Sequence, residues 1–451
     1  MENGRDGSRA VLAAALTVGF GTVVGMWLVG FVTHLPGLRP PAVVIAVLLL
    51  AIQALGGWIA GRIGGGSMWV GALAGLFTGL VNLLIVGSVV SSLPAEGAGG
   101  SELVPNWAVI AAGSVAFSTI VGLIAGAIGL KGAPHGAATR EEWLWRFALV
   151  TVSAAMPVLL SGGLVTSTGT GLAVPDWPTS YSANMFLYPL SKMTGGIYYE
   201  HAHRLFGSLI GFTTLVLMIF MFIVERRGWV KVLGVLAFVM VCAQGVLGGV
   251  RVTSATTVSE VPSPEALSDN RMSLALAALH GTTAQIFFGF LCALAVVLSP
   301  AWQGHDGSVA RETETRLRPM GVALVAALMV QLALGSVTRH FQHAHAMLTH
   351  IGFALVVIVL ACLVGFRAGG GAFDHLPMVK RLGKSLVHAV GLQAALGVAT
   401  LLVVFPYEPG RQDPAYAVII ATSHQATGAL LMGCAWALAA WGLRLGTRAA
   451  A

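Results

Sequence analysis

Long apolar runs separated by short polar stretches repeat along the whole chain. A helix needs about 20 mainly apolar residues to cross the hydrocarbon layer of a bilayer. Runs of that kind fall near residues 9–33, 41–62, 68–93, 106–130, 146–166, 199–224, 229–250, 275–299, 319–338, 343–366, 385–405 and 415–443. They predict an all-α integral membrane protein with about twelve transmembrane helices.

Composition supports this pattern. The chain has 451 residues, is 56% hydrophobic and only 10% charged, and has a mean hydropathy of +0.83. An ordinary soluble domain does not have this composition.

The net charge of +7 and a pI near 9.5 would suit nucleic acid, but the placement of the bases argues otherwise. Arg5 and Arg9 precede the first run and Arg62 follows the second. Lys131, Arg140 and Arg146 lie between the fourth and fifth. Later clusters are Arg226, Arg227 and Lys231; Arg311, Arg316 and Arg318; Arg367, Lys380, Arg381 and Lys384; and Arg444 with Arg448. The alternate loops are poorer in base and carry Glu96, Glu102, Asp176, Glu260, Glu265 and Asp269. This is the positive-inside bias. It predicts both termini in the cytoplasm, an even helix count, the plasma membrane as the location and no nucleic-acid partner. Arg39, Arg251, Arg271, Arg339 and Arg411 run against the bias. No cleavable signal peptide is expected, because the first run is too long and lacks a clear cleavage site. Cys242, Cys292, Cys362 and Cys434 lie inside apolar runs, so no outer disulfide is expected.

The chain divides near residue 140. Residues 1–140 form a four-helix extension of unknown role, rich in Gly and Ala at spacings suited to close helix packing. The remaining eight runs contain a repeat. Gln244-Gly-Val-Leu247-Gly248, Gln331-Leu-Ala-Leu334-Gly335 and Gln393-Ala-Ala-Leu396-Gly397 end three alternate helices, and Ser161-Gly162-Gly163-Leu164-Val165 ends a fourth without the Gln. An outer loop follows each string, and then a helix bearing a histidine. A hairpin repeated four times predicts an eight-helix core of two tandem four-helix bundles, at 141–305 and 306–451.

The histidines are His203, His280, His350 and His424. Each has a small residue one turn later: Gly207, Ala284, Ala354 and Gly428. A lone histidine in an apolar helix is commonly a satisfied core residue. Four in register with a repeat point instead to ligands, and imidazole is a standard axial ligand of heme iron. Two alternatives stay open: His201 competes with His203, and His345 with His350. His388 reads as structural, and His34, His135, His305 and His375 as solvated. Glu200 lies three residues before His203, on the same helix face. It is either an ion-pair partner of Arg204 or a carboxylate that moves protons beside a cofactor. Arg204, Arg251 and Arg339 are candidate contacts for heme propionates, or else interfacial anchors.

The string Gly162-Gly163-Leu164-Val165-Thr166-Ser167-Thr168-Gly169-Thr170-Gly171-Leu172-Ala173-Val174-Pro175-Asp176-Trp177-Pro178 resembles the first outer loop of heme A synthases. Glu200-His201-Ala202-His203-Arg204 resembles that family's Glu-x-x-His-Arg motif. The resemblance covers about residues 146–443. It implies an oxidoreductase that converts a methyl group of heme o to a formyl group, giving heme a for terminal oxidases. It also implies His203 and His280 at the substrate heme, His350 and His424 at a heme b, and Glu200 as the catalytic carboxylate. Candidate partners are membrane lipid, heme o synthase, an electron donor and a second copy of the chain. Three features depart from the family. Ile351 follows the third histidine where Arg is common, the outer loops lack a cysteine pair, and the first four helices are additional. The alternative is a di-heme b-type protein for electron transfer or heme delivery, which needs the histidines but not Glu200.

Overall fold

A computed structural model describes residues 2–38, 40–93, 100–131, 138–256, 271–305, 316–404 and 413–446. Arg39, Glu96, His135, Glu260, Glu265, Asp269, Arg311, Arg411 and Arg448 lie outside the described residues. Among the described residues twelve helices are long and apolar enough to cross a membrane. They are α1 (Glu2–Thr33), α2 (Ala42–Ile63), α3 (Met68–Val89), α4 (Trp107–Gly129), α5 (Arg140–Ser167) and α6 (Gly195–Val224). The rest are α7 (Gly228–Thr256), α8 (Arg271–Leu298), α9 (Leu317–Phe341), α10 (Ala344–Gly369), α11 (Pro377–Val404) and α12 (Ala415–Gly446). The expectation of an all-α multi-pass membrane protein is met. Helix is the natural answer to hydrocarbon, because it satisfies every backbone N–H and C=O within one segment.

Among the differences from the apolar runs are two helix starts. α5 begins about six residues early and α11 about eight. Residues at the helix starts explain both. Before α5, Glu142 accepts from the Thr139 amide at 2.8 Å and the Glu142 amide donates to Thr139 Oγ1 at 3.2 Å. This reciprocal cap lets the helix extend beyond the membrane. α11 opens on Pro377, whose fixed φ suits a first helical position.

The described chain forms two compact units. One comprises Met1–Pro157 with Leu172–Lys231, the other Val158–Gly171 with Val232–Ala451. These limits fall elsewhere than at residues 140 and 305.

In the first unit α3 and α2 both pack on α4, and α1 packs on α2 and α3. Glycines one turn apart make this possible. A methyl at Gly57 would lie 2.9 Å from Gly122 Cα, and one at Gly71 would lie 2.8 Å from Gly126 Cα. α1 also lies along α5 and α6. Phe20 meets Phe147 and Phe212 at centroid distances of 5.3 and 5.6 Å, and Trp27 meets Phe206 at 6.1 Å. Phe31 stacks on Tyr198 at 5.5 Å, and the Tyr198 hydroxyl donates to the Phe31 carbonyl at 2.5 Å. The added helices therefore brace the first turn of α6.

In the second unit α8 packs on α9 and α12, α12 on α9 and α11, and α10 on α9 and α11. Ser336 donates to the Ala278 carbonyl at 3.0 Å and ties α9 to α8. Gln342 takes a left-handed conformation, φ 55°, which ends α9 and turns the chain into α10 through Gln342 and His343 alone.

Gly75→Leu should destabilise the protein by about 1–3 kcal/mol, because overpacking displaces backbone. A methyl at Gly75 would already lie 2.9 Å from the Ser118 carbonyl carbon. Gly113→Leu, which meets nothing within 4 Å, should be near neutral. Thermal unfolding of the two variants in detergent checks this.

Candidate functional site

Two features of the fold carry chemistry: a clamped loop after α5 and a set of imidazoles on alternate helices.

The loop comes first in sequence. The Asp176 carboxylate accepts from the Tyr181 and Ser182 amides at 2.7 and 2.8 Å. These bonds hold two residues in the left-handed region, with φ 52° and 63°. Burial pushes the Asp176 carboxyl up, but the Thr179 side chain and the Ser182 and Tyr181 amides together hold it below its ordinary value. Arg204, on α6, reaches into the same loop. Its Nη1 donates to the Asp176 and Thr179 carbonyls at 2.7 and 3.0 Å, and its Nη2 to the Val174 carbonyl at 2.9 Å. Nη2 also meets Glu200 Oε1 at 2.7 Å, in a pair that is buried on both sides. Glu200 Oε2 accepts from the Val174 amide at 3.0 Å. The ion-pair reading of Glu200 is thus realised in the geometry.

His201 is fully buried. Its Nδ1 lies 3.1 Å from Ser180 Oγ, and its ring centroid 5.1 Å from that of Tyr188. His201 belongs to the support of the loop. His203 points elsewhere on α6 and is half-buried.

The other two arginines serve the second unit. Arg251 Nη1 donates to the Gly171 carbonyl at 2.8 Å, and Arg339 Nη2 to the Thr166 carbonyl at 3.0 Å. His340 lies in the field of both. Sequence reasoning passed over His340; its position one residue after Arg339 was the only signal.

The second unit brings the His350 and His424 rings together, with centroids 6.5 Å apart and planes perpendicular at 88°. His345 is exposed, and its carbonyl accepts from Thr349. His388 bonds to the Lys384 carbonyl of its own helix.

An imidazole nitrogen ligates a metal at about 2.05 Å, so two rings on opposite sides of one ion have centres about 6.4 Å apart. The observed separation fits that arrangement. His350 Nδ1 lies 3.2 Å from the Gln331 carbonyl. A carbonyl only accepts, so Nδ1 carries the proton and Nε2 keeps its lone pair. The Gln393 amide nitrogen lies 3.5 Å from His424 Nε2; an amide nitrogen only donates, so Nε2 is unprotonated and accepts from Gln393. Among the described residues no cluster of three or more metal-ligating side chains occurs. A two-imidazole site therefore suits a metal whose other positions are already filled, as in a porphyrin.

Fold and site together define a multi-pass membrane protein with a facing imidazole pair inside its helices. Residues 145–349 match the family model described as COX15-CtaA, cytochrome oxidase assembly protein. Among curated relatives, "Heme A synthase" of Granulibacter bethesdensis is 26% identical over 351 residues, covering 64% of this chain and 84% of that protein. "Heme A synthase" of a Chelativorans species is 24% identical over 362 residues, covering 65% and 89%. Through this region the chain is similar to heme A synthases, in keeping with the resemblance of its loop and Glu-x-x-His-Arg motif.

The loop yields a pH prediction. Because the Asp176 carboxyl sits below its ordinary value, its contribution to loop stability is fully present above the unfolded value of about 3.9. That contribution is lost as pH falls through the lower, folded value. Proteolysis within residues 168–194 should be slow from neutral pH to about 4 and rise below it. Asp176→Asn should raise it at pH 7 and flatten the acid response.

Proposed function

We propose that this protein is the enzyme that oxidises a ring methyl of heme o to a formyl group, giving heme a for terminal oxidases. The single observation that carries the reading is the His350–His424 pair, whose spacing matches axial ligation of one iron. The names of the relatives and the oxidase-assembly family support the same conclusion.

His350 and His424 are the residues that would hold a resident heme b. When bound, such a group supplies electron transfer close to the reaction. The chain's part is to fix two imidazoles with unprotonated Nε2 atoms, that of His424 shared with the Gln393 amide. The resemblance assigns His203 and His280 to the heme being oxidised. Arg251 and Arg339, with His340 in their field, form a cationic group suited to propionates.

Glu200 is proposed as the proton-handling carboxylate. Oε1 carries the ion pair with Arg204, while Oε2 faces a neutral amide, so Oε2 is the atom assigned to take up a proton. Arg204 holds the outer loop over this carboxylate, which keeps bulk water from it. The substrate's apolar tail suits entry from the bilayer. The plasma membrane as location and cytoplasmic termini are part of this proposal.

Co-expression with a heme o synthase, in a host without heme a, tests the reading. Mass analysis of extracted hemes should find the formylated product. Heme o and heme b alone would favour a di-heme electron carrier. Glu200→Gln should keep the heme absorbance and lower product at least tenfold, in the range of lost general acid–base catalysis of about 10²–10⁴. In purified protein His424→Ala and His350→Ala should each lose the heme b Soret band, whereas His345→Ala should retain it.

A further inference from the structure

The repeated Gln-x-x-Leu-Gly string has a structural partner that its sequence did not disclose. Each string ends opposite the histidine of the next helix. A methyl at Gly335 would come to 2.8 Å from His350 Cε1, and one at Gly397 to 3.1 Å from His424 Cε1. At Gly248 the corresponding distance to His280 Cε1 is 3.5 Å. One turn earlier, the Gln331 carbonyl lies 3.2 Å from Nδ1 of the His350 ring.

The glutamine side chains then lock the hairpins. Gln331 Nε2 donates to the His350 carbonyl at 3.0 Å, so Gln331 and His350 are bonded in both directions. Gln393 Nε2 reaches the His424 ring, and Gln244 Nε2 donates to Thr283 Oγ1 at 2.6 Å, one turn beyond His280. The fourth string has no glutamine. There Gly163 abuts Thr422 and Gln425 of α12, where a methyl would lie at 3.0 and 3.3 Å.

We propose that this string is an imidazole cradle. The glycine admits the ring edge, the Gln331 carbonyl accepts from His350 Nδ1, and the glutamine side chains fix the hairpin register. Together they set the plane and basicity of the ligand imidazole. The glutamines and glycines are thus positioning residues for His350 and His424. The proposal rests on the reading of these two histidines as axial ligands. A second-shell carbonyl on Nδ1 orients a metal-bound imidazole and raises its basicity, and such bonds tune the potential of a heme. The angle between two axial ring planes is read directly in the spectrum of the low-spin ferric state.

The test uses the full chain purified in detergent. Gly335→Ala and Gly397→Ala push on the ring edges, and Gln331→Leu removes a lock without adding bulk at the ring. Gly391→Ala is the control, since a methyl there meets nothing within 4 Å. Heme content, the low-spin ferric electron paramagnetic resonance g values and the midpoint potential are measured for each. The cradle variants should shift both the g values and the potential, with the control like wild type. Loss of heme in the glycine variants alone would also support the cradle. Wild-type g values and potential in Gly335→Ala, Gly397→Ala and Gln331→Leu at full heme content would overturn it. Equal heme loss in the control would do so too. A wild-type preparation without any Soret band would instead defeat the ligand assignment beneath it.

Discussion

A polar ring placed in hydrocarbon must find a partner, because water is not there to provide one. That constraint shapes the second unit. Its helices keep their backbone bonds to themselves, so the side chains that break the apolar pattern stand out. His350 and His424 satisfy one ring nitrogen near a glutamine of the preceding helix and turn their rings toward each other. The remaining valence of such a pair suits an iron porphyrin, since the chain adds no third ligand among the described residues.

The loop after α5 faces a different problem. It is irregular backbone, with carbonyls that no helix satisfies. Arginines meet part of it: Arg204 takes three of those carbonyls and Arg251 takes Gly171, while Arg339 takes Thr166 in the last turn of α5. The fork of a guanidinium suits this work better than a lysine, because several fixed donors spread over several acceptors. Bases that run against the positive-inside bias thus have a local cause in the first instance. The same geometry makes Glu200 a member of the clamp, with one oxygen in the ion pair and the other on the Val174 amide.

The added amino-terminal helices share a unit with α6 and the Pro-Asp-Trp-Pro loop. Aromatic side chains of α1 pack along α6 and stack on Tyr198, two residues before Glu200. Close glycine contacts hold α2, α3 and α4 together behind them. Such contacts depend on shape rather than on a hydrophobic drive, which is weak between helices in lipid.

Much of this was legible in the chain. Twelve apolar runs gave twelve spans, since hydrocarbon thickness dictates length and only composition is needed to read it. The alternation of basic loops, the hairpin repeat and the four candidate histidines were visible for the same reason: each is a departure from an apolar background. What the pattern could not supply was partnership. That His201 supports a loop, that His350 rather than His345 meets His424, and that the glutamine–glycine strings lie against imidazoles all depend on side chains brought together across helices. Helical periodicity assigns a residue to a face, but only the packing of one helix on another decides what that face meets.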